Sequence, residues 1–251
     1  MDISAFFIFL LILAVLLAGI SKGGFGSGAS FICIPILALV VEPTQALGIM
    51  LPLLMLMDAV SLKLYWKKWD YINAKVLILG GLFGVIIAIF FYRAASPNLI
   101  QILLGLISIG FVCFEVIKNL FTLKIPRIKF NHKIGLFIGI SAGFTSFISH
   151  AGGPPVALFL LSQKMNKTLY QSTTVISFWA INIFKIAPYS FLGFFTWETL
   201  KIDLLLAPVA VFGTIAGAYA HKIIPESLFF IFTYILLFLA GTKLLYDGVL
   251  T

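Results

Sequence analysis

The chain has 251 residues, of which 61% are hydrophobic and only 10% charged, with a mean hydropathy of +1.13. Soluble domains carry about 25% charged residues, so a soluble globular fold is excluded, and long continuous apolar runs argue against a membrane β-barrel. The net charge of +8 does not point to nucleic acid, because the basic residues sit in short connections between apolar runs, the pattern that orients membrane helices.

The predicted apolar segments are 3–20, 25–41, 44–62, 74–92, 98–118, 134–149, 153–163, 168–192, 203–220 and 225–246. About 20 apolar residues suffice to cross the bilayer core as a helix. The N-terminal segment lacks a basic flank and a small-residue cleavage site, so it reads as a retained helix rather than a signal peptide. The pairs 3–20/25–41 and 134–149/153–163 are shorter and meet at polar, glycine-rich breaks. Each pair reads as a broken or re-entrant unit, within residues 3–41 and 134–163, that leaves the membrane on the side it entered.

The first break, Gly19-Ile20-Ser21-Lys22-Gly23-Gly24-Phe25-Gly26-Ser27-Gly28-Ala29-Ser30, places a lysine and several glycines at membrane depth. A charge near the bilayer centre costs about 2.5–3.5 kcal/mol on insertion scales. Such a segment persists where protein buries it or where it lines a wet cavity. Lys22, Gly24, Gly26, Ser27, Gly28 and Ser30 are therefore candidates for an anion cradle, since free backbone N–H groups at helix ends attract anions. The competing reading is a small-residue packing seam with Lys22 snorkelling to the surface. Pro35 is expected to interrupt the helix that follows.

The third segment carries Asp58, with Ser61 one turn later. The cysteines, Cys33 and Cys113, have no motif spacing and read as small buried hydrophobes rather than metal ligands or a disulfide. Residues 119–133 form a basic linker between residues 1–118 and 134–251, and these two parts correspond. At an offset of 124, Ala18-Gly19 falls on Ala142-Gly143, Gly28 on Gly152, Thr44 on Thr168 and Asp58 on Asn182; Phe83-Gly84 falls on Phe212-Gly213, and Arg93 on Lys222, at 129. Co-linear matches of this kind indicate a duplication.

The second break, Ser146-Phe147-Ile148-Ser149-His150-Ala151-Gly152-Gly153-Pro154-Pro155, is the counterpart of the first. Ser149, His150, Gly152 and Gly153 are candidates for the other half of a substrate site. His150 is also a candidate for proton coupling; the alternative is a neutral histidine bonded to nearby backbone. Asn182 and Lys185 lie on one face of the next helix. Asp58 is expected to pair with Lys22 or Lys185, as an ion pair or as a coupling group.

With the linker cytoplasmic, Lys63, Lys67, Lys68, Lys75, Lys118, Lys124, Arg127, Lys129, Lys133, Lys164, Lys167 and Lys222 all fall inside, and only Arg93, Lys201 and Lys243 outside. Both termini are then external. An odd number of side changes per half makes the fold class an all-α polytopic membrane protein of two inverted repeats, about five segments each, the architecture of many secondary transporters. No enzyme signature, metal cluster or nucleotide-binding loop is present, and no cofactor is expected.

The motif at 19–28, Pro35, the Pro43/Ala46/Gly48/Leu51-Pro52 spacing, Asp58 and Gly143…Gly152-Gly153-Pro154-Pro155 resemble the sulfite exporter TauE/SafE family of bacterial permeases. The resemblance implies a multi-pass inner-membrane transporter of sulfite, an organosulfonate or another small anion. Partners are then the anion and the lipid bilayer; substrate, direction and oligomeric state, a homodimer included, stay open. An uncoupled anion channel and a non-transporting, partner-binding membrane subunit are the alternatives.

Overall fold

The computed structural model describes residues 5–25, 32–120, 130–220 and 226–250. Among these every regular element is helical: α1 (Ala5–Ile20) continues into a π-helical turn (Ser21–Phe25), followed by α2 (Cys33–Leu37), α3 (Pro43–Leu64), α4 (Tyr71–Ala94) and α5 (Pro97–Leu120). Then come α6 (His132–Ser149), α7 (Gly153–Ser162), α8 (Lys167–Phe191), α9 (Trp197–Ala220) and α10 (Glu226–Leu250).

Local chemistry sets these boundaries. Asp70 caps α4 by accepting from the Asn73 N–H at 2.8 Å, and Asn166 caps α8 by accepting from the Leu169 N–H at 2.8 Å. Proline opens α3 and α5, where its missing N–H costs nothing. α9 starts six residues before the apolar segment predicted from 203. Thr196 and Thr199 bond each other's backbone N–H there, at 3.1 and 2.9 Å, so a polar first turn that hydropathy rejects is held by a reciprocal cap.

Six helices, within Phe6–Gly24, Pro43–Leu64, Tyr71–Ala94, Pro97–Lys118, Trp197–Tyr219 and Ile231–Leu250, are long and apolar enough to cross a membrane. The chain is a multi-pass membrane protein. α8 has the length but carries Gln171, Ser172, Thr173, Thr174, Ser177, Asn182 and Lys185, all buried. Its polarity is turned into the protein, as lipid requires. α7, at 10 residues, rises only about 15 Å. The helix expected over 25–41 is α-helical only at Cys33–Leu37 among the described residues, with Pro35 inside it. Cys33 is buried as expected; Cys113 is exposed, a correction explained by its place on the outer face of α5.

Small residues fix the helix directions. Leu16 and Ile20 of α1 meet Gly213 and Gly217 of α9, and Leu77 and Gly81 of α4 meet Gly139 and Gly143 of α6, so both pairs run parallel. α3 and α8 run antiparallel, from Gly48 against Phe194 through Asp58 with Asn182 to Lys68 with Ser172. α5 and α10 are antiparallel too, with Gly105 on Gly241 and Gly248 on Asn98.

Contacts at their ends place the described parts of the two broken pairs. α1 ends beside the end of α3, where Tyr65 donates to the Gly23 carbonyl at 3.3 Å. α6 starts beside the first turns of α4, with Gly135 on Val76. α7 ends at the same level, where Gln163 and Asn73 exchange side-chain amide bonds at 2.9 and 3.2 Å.

Candidate functional site

Positions 54, 58, 61 and 65 fall on one stripe of α3, because steps of four, three and four residues keep a helical face. They are Leu54, Asp58, Ser61 and Tyr65. The same spacing on α8 gives Phe178, Asn182, Lys185 and Tyr189, each 124 residues later. The two stripes face each other and the ends of α1 and α6, and Lys22, Asp58, Ser146, His150, Asn182 and Lys185 are bonded to one another between them.

On the α3 side, Lys22 forms a salt bridge with Asp58, both side chains almost fully buried, and also donates to the Leu54 carbonyl at 3.4 Å. Lys22 is only 2% exposed, so it does not snorkel. Its backbone carbonyl accepts from Gln171 at 2.7 Å, a partner from another helix where the π turn alters the regular ladder. Asn182 donates to the second Asp58 oxygen at 2.8 Å, which joins the two stripes.

On the α8 side, Lys185 is fully buried and donates to the carbonyl and hydroxyl of Ser146, both at 3.1 Å, and to His150 Nδ1 at 2.6 Å. With Lys185 as the donor to Nδ1, the imidazole proton sits on Nε2, which lies 3.4 Å from the Leu47 carbonyl. His150 itself is the left-handed cap of α6, with φ of 53°, a conformation uncommon without glycine. That turn points the ring inward rather than along α6. No carboxylate among the described residues lies within ion-pair distance of Lys185; the Asp58 oxygens are occupied by Lys22 and Asn182.

A small cavity opens between these groups. Lys22 and Leu54 line it from the first part of the chain, and Ser146, His150, Gly153, Phe178 and Asn182 from the second. Of the residues singled out in the sequence, Lys22, His150, Gly153 and Asn182 line the cavity, Asp58 bonds to two of them, and Lys185 stands directly behind Ser146 and His150. Ser149 is buried but donates to its own helix at the Thr145 carbonyl, 3.0 Å away. Gly152 is a close approach: a Cβ there would lie 2.6 Å from both the Ala142 carbonyl and the Phe178 ring. Gly24 is half-buried and not in the lining. Gly26, Ser27, Gly28 and Ser30 lie outside the described residues.

The glycine-rich stretch also contains the packing seam weighed against the cradle. A Cβ on Gly23 would stand 1.9 Å from the Thr214 carbonyl of α9, and one on Gly19 3.0 Å from the Thr214 nitrogen. These glycines serve helix contact, while Lys22 between them serves the cavity.

Sequence reasoning put Ser146 in the second break without singling it out, and missed Phe178, Gln171 and the two tyrosines. The 124-residue offset held the signal for the tyrosines. Tyr65 donates to the Gly23 carbonyl and Tyr189 to the Phe147 carbonyl, and both partners as well as both donors are 124 residues apart. The environments differ. Tyr65 is half-buried, whereas Tyr189 is fully buried among Phe147, Phe194 and Phe195, with ring centroids 5.0, 4.6 and 6.2 Å away. Tyr92 joins this cluster through Phe147 and Phe194. Away from the cavity, Asp203 on α9 is buried with neither carboxyl oxygen hydrogen-bonded among the described residues.

Among the described residues no group of His, Cys, Asp and Glu is arranged to hold a metal ion. The family model for the sulfite exporter TauE/SafE matches residues 11–244, nearly the whole chain. No curated protein and no solved structure matches.

Proposed function

This chain belongs to the sulfite exporter TauE/SafE family, a family of membrane transporters, and from that premise we propose that it is a secondary transporter of a small anion such as sulfite or an organosulfonate. The observation that carries this reading is Lys185. It is a fully buried lysine with no carboxylate partner among the described residues, its amine bonded to Ser146 and His150. Moving an ion out of water costs several kcal/mol even after relaxation. Lys22 recovers much of that cost from Asp58; Lys185 has no equivalent. A small anion in the adjoining cavity supplies the missing charge, with Lys22, His150 and Asn182 as direct contacts and the N-terminus of α7 at Gly153 beneath it.

Alternating access is the mechanism we infer. The parallel pairs α1/α9 and α4/α6, and the antiparallel pairs α3/α8 and α5/α10, support two repeats of opposite orientation meeting at the cavity. The matched tyrosine bonds support the same reading. Tyr189 and its aromatic neighbours seal the end of the cavity near Leu47 and Phe194, while the counterpart, Tyr65, meets Gly23 where the second half has Phe147. Transport of this kind needs no bond-making chemistry from the protein. On the positive-inside distribution, the linker side is cytoplasmic and both termini are external; the family resemblance implies the inner membrane.

Proteoliposomes loaded with buffer and given labelled sulfite, a taurine-like sulfonate or a carboxylate, with and without a pH gradient, test the proposal. Accumulation of one anion class above its external concentration supports a coupled carrier. Flux that only equilibrates indicates a channel, and no flux of any anion removes the transport reading.

A further inference from the structure

Ser61 is the one position of the two matched stripes that the proposed site leaves idle. Its hydroxyl is fully buried and has no hydrogen-bond partner among the described residues. A buried, unpaired hydroxyl costs about 1–3 kcal/mol, so an idle one calls for a use. Its neighbours on the stripe are both engaged with the end of α1: Asp58 with the Lys22 ammonium and Tyr65 with the Gly23 carbonyl. Ser61 thus lies between two residues that touch Lys22 and Gly23.

The 124-residue correspondence says what that use is. Lys22 corresponds to Ser146, and Ser61 to Lys185. In the second half this pair is joined: Lys185 donates to the Ser146 hydroxyl at 3.1 Å. In the first half the same pair, with lysine and serine exchanged between the two helices, is apart, and Lys22 is drawn to Asp58 instead. Asn182, the residue matching Asp58, carries no charge and exerts no such pull on Lys185.

We propose that Ser61 is the second seat of the Lys22 ammonium, taken when Asp58 gives that ammonium up to the transported anion. This step rests on the anion site proposed above. An anion beside Lys22 and the Asp58 carboxylate compete for one cation and repel each other. Asp58 resolves the conflict by taking up a proton. As a neutral carboxyl it still accepts from Asn182, and Lys22 is held by the anion and the Ser61 oxygen, the arrangement Lys185 already has with Ser146. Release of the anion returns Lys22 to Asp58 and frees the proton, so one proton moves with each anion. The charged and titratable groups around Asp58 are Lys22 from the π turn, Lys185 from α8 and His150 from the end of α6, with Cys33 buried on α2. Among these groups Asp58 is the sole carboxyl.

Thermal melting of the full-length protein in detergent tests this without relying on transport. Ser61→Ala is expected to leave Tm unchanged or slightly raised at neutral pH, because the hydroxyl it removes is unbonded. In an Asp58→Asn background, which imitates the protonated carboxyl, the same substitution is expected to lower Tm by about 3–10 °C, the loss of a hydrogen bond to a charge. Acidifying Ser61→Ala alone is expected to open a similar gap from wild type, and this arm decides the matter if Asp58→Asn does not fold. An equal effect of Ser61→Ala in both backgrounds and at both pH values overturns the proposal. In a parallel arm, sulfite is expected to raise Tm less in Ser61→Ala than in wild type; an equal rise in both also overturns it. No sulfite shift in either protein, with the background dependence intact, rejects the anion reading and leaves the second seat standing.

Discussion

Asn182 donates to Asp58 at 2.8 Å across a chain separation of 124 residues, the same offset that separates the stripe residues of α3 from those of α8. Two matched positions therefore bond to each other, and only one of them is an acid. Its charge is balanced by Lys22. Breaking a buried pair by removing one partner costs about 3–5 kcal/mol, whereas removing both costs far less. Lys22→Ala is thus expected to lower Tm sharply, and Lys22→Ala with Asp58→Asn to recover most of the loss. Melting curves of the two single variants and the double check this, and an additive double variant would show that the pair is not coupled.

Lys185 behaves in the opposite sense. It is fully buried, with no carboxylate partner among the described residues. Lys185→Met keeps much of the volume and removes the uncompensated charge, so Tm is expected to hold or rise. Anion affinity is expected to fall about 10–100-fold, because the positive charge behind Ser146 and His150 that attracts the anion is gone. Titration calorimetry with sulfite on wild type and variant measures it. A variant that melts early and binds normally contradicts this assignment.

How much of this was legible beforehand differs between fold and site. Residue chemistry alone revealed the membrane helices, because hydrophobic runs of bilayer length have few other uses. It also singled out Lys22, Asp58, His150, Asn182 and Lys185 as polar groups inside such runs, and the structure buries them beside one another. It did not reveal which of them pair. Asp58 had two lysines available, and the choice depends on the π turn that carries Lys22 toward α3. Nor did it reveal Ser146 or Phe178, ordinary residues whose importance comes only from facing the cavity. The glycines were ambiguous for a physical reason: Gly needed for close helix contact and Gly needed for a ligand look the same in a sequence, and Gly23 proved to be the former.

The close contacts of α1 with α9 and of α4 with α6 make a paired prediction. A Cβ on Gly23 would lie 1.9 Å from the Thr214 carbonyl, and one on Gly143 2.2 Å from the Gly81 carbonyl. Backbone cannot yield as a flexible side chain does, so each helix pair must separate. Gly23→Ala and Gly143→Ala are each expected to cost about 1–3 kcal/mol, the usual range for overpacking. Gly110, with nothing within 4 Å of its added Cβ, is the control: Gly110→Ala is expected to be neutral or stabilising, by up to about 1 kcal/mol from helix propensity. Thermal melting of the three variants checks the ranking.

The matched tyrosines make the last prediction, and their difference in burial sets its direction. Tyr189 is fully buried, and its hydroxyl donates to the Phe147 carbonyl amid packed rings. Tyr65 is half-buried and makes the equivalent bond at 3.3 Å, where water can substitute for it. Tyr189→Phe leaves a buried carbonyl unpaired and is expected to cost about 1–3 kcal/mol, with Tyr65→Phe costing less than about 1 kcal/mol. For a chain of this size each kcal/mol lowers Tm by about 2–4 °C. If the rings around Tyr189 close the cavity, Tyr189→Ala should also admit a small thiol reagent to a cysteine placed at Gly153 from the side of Phe194, in a background with Cys33 and Cys113 replaced. Tyr65→Ala should not alter labelling from that side. Equal labelling of the two variants would remove Tyr189 as the seal while leaving the stability ranking to stand on the hydrogen bonds alone.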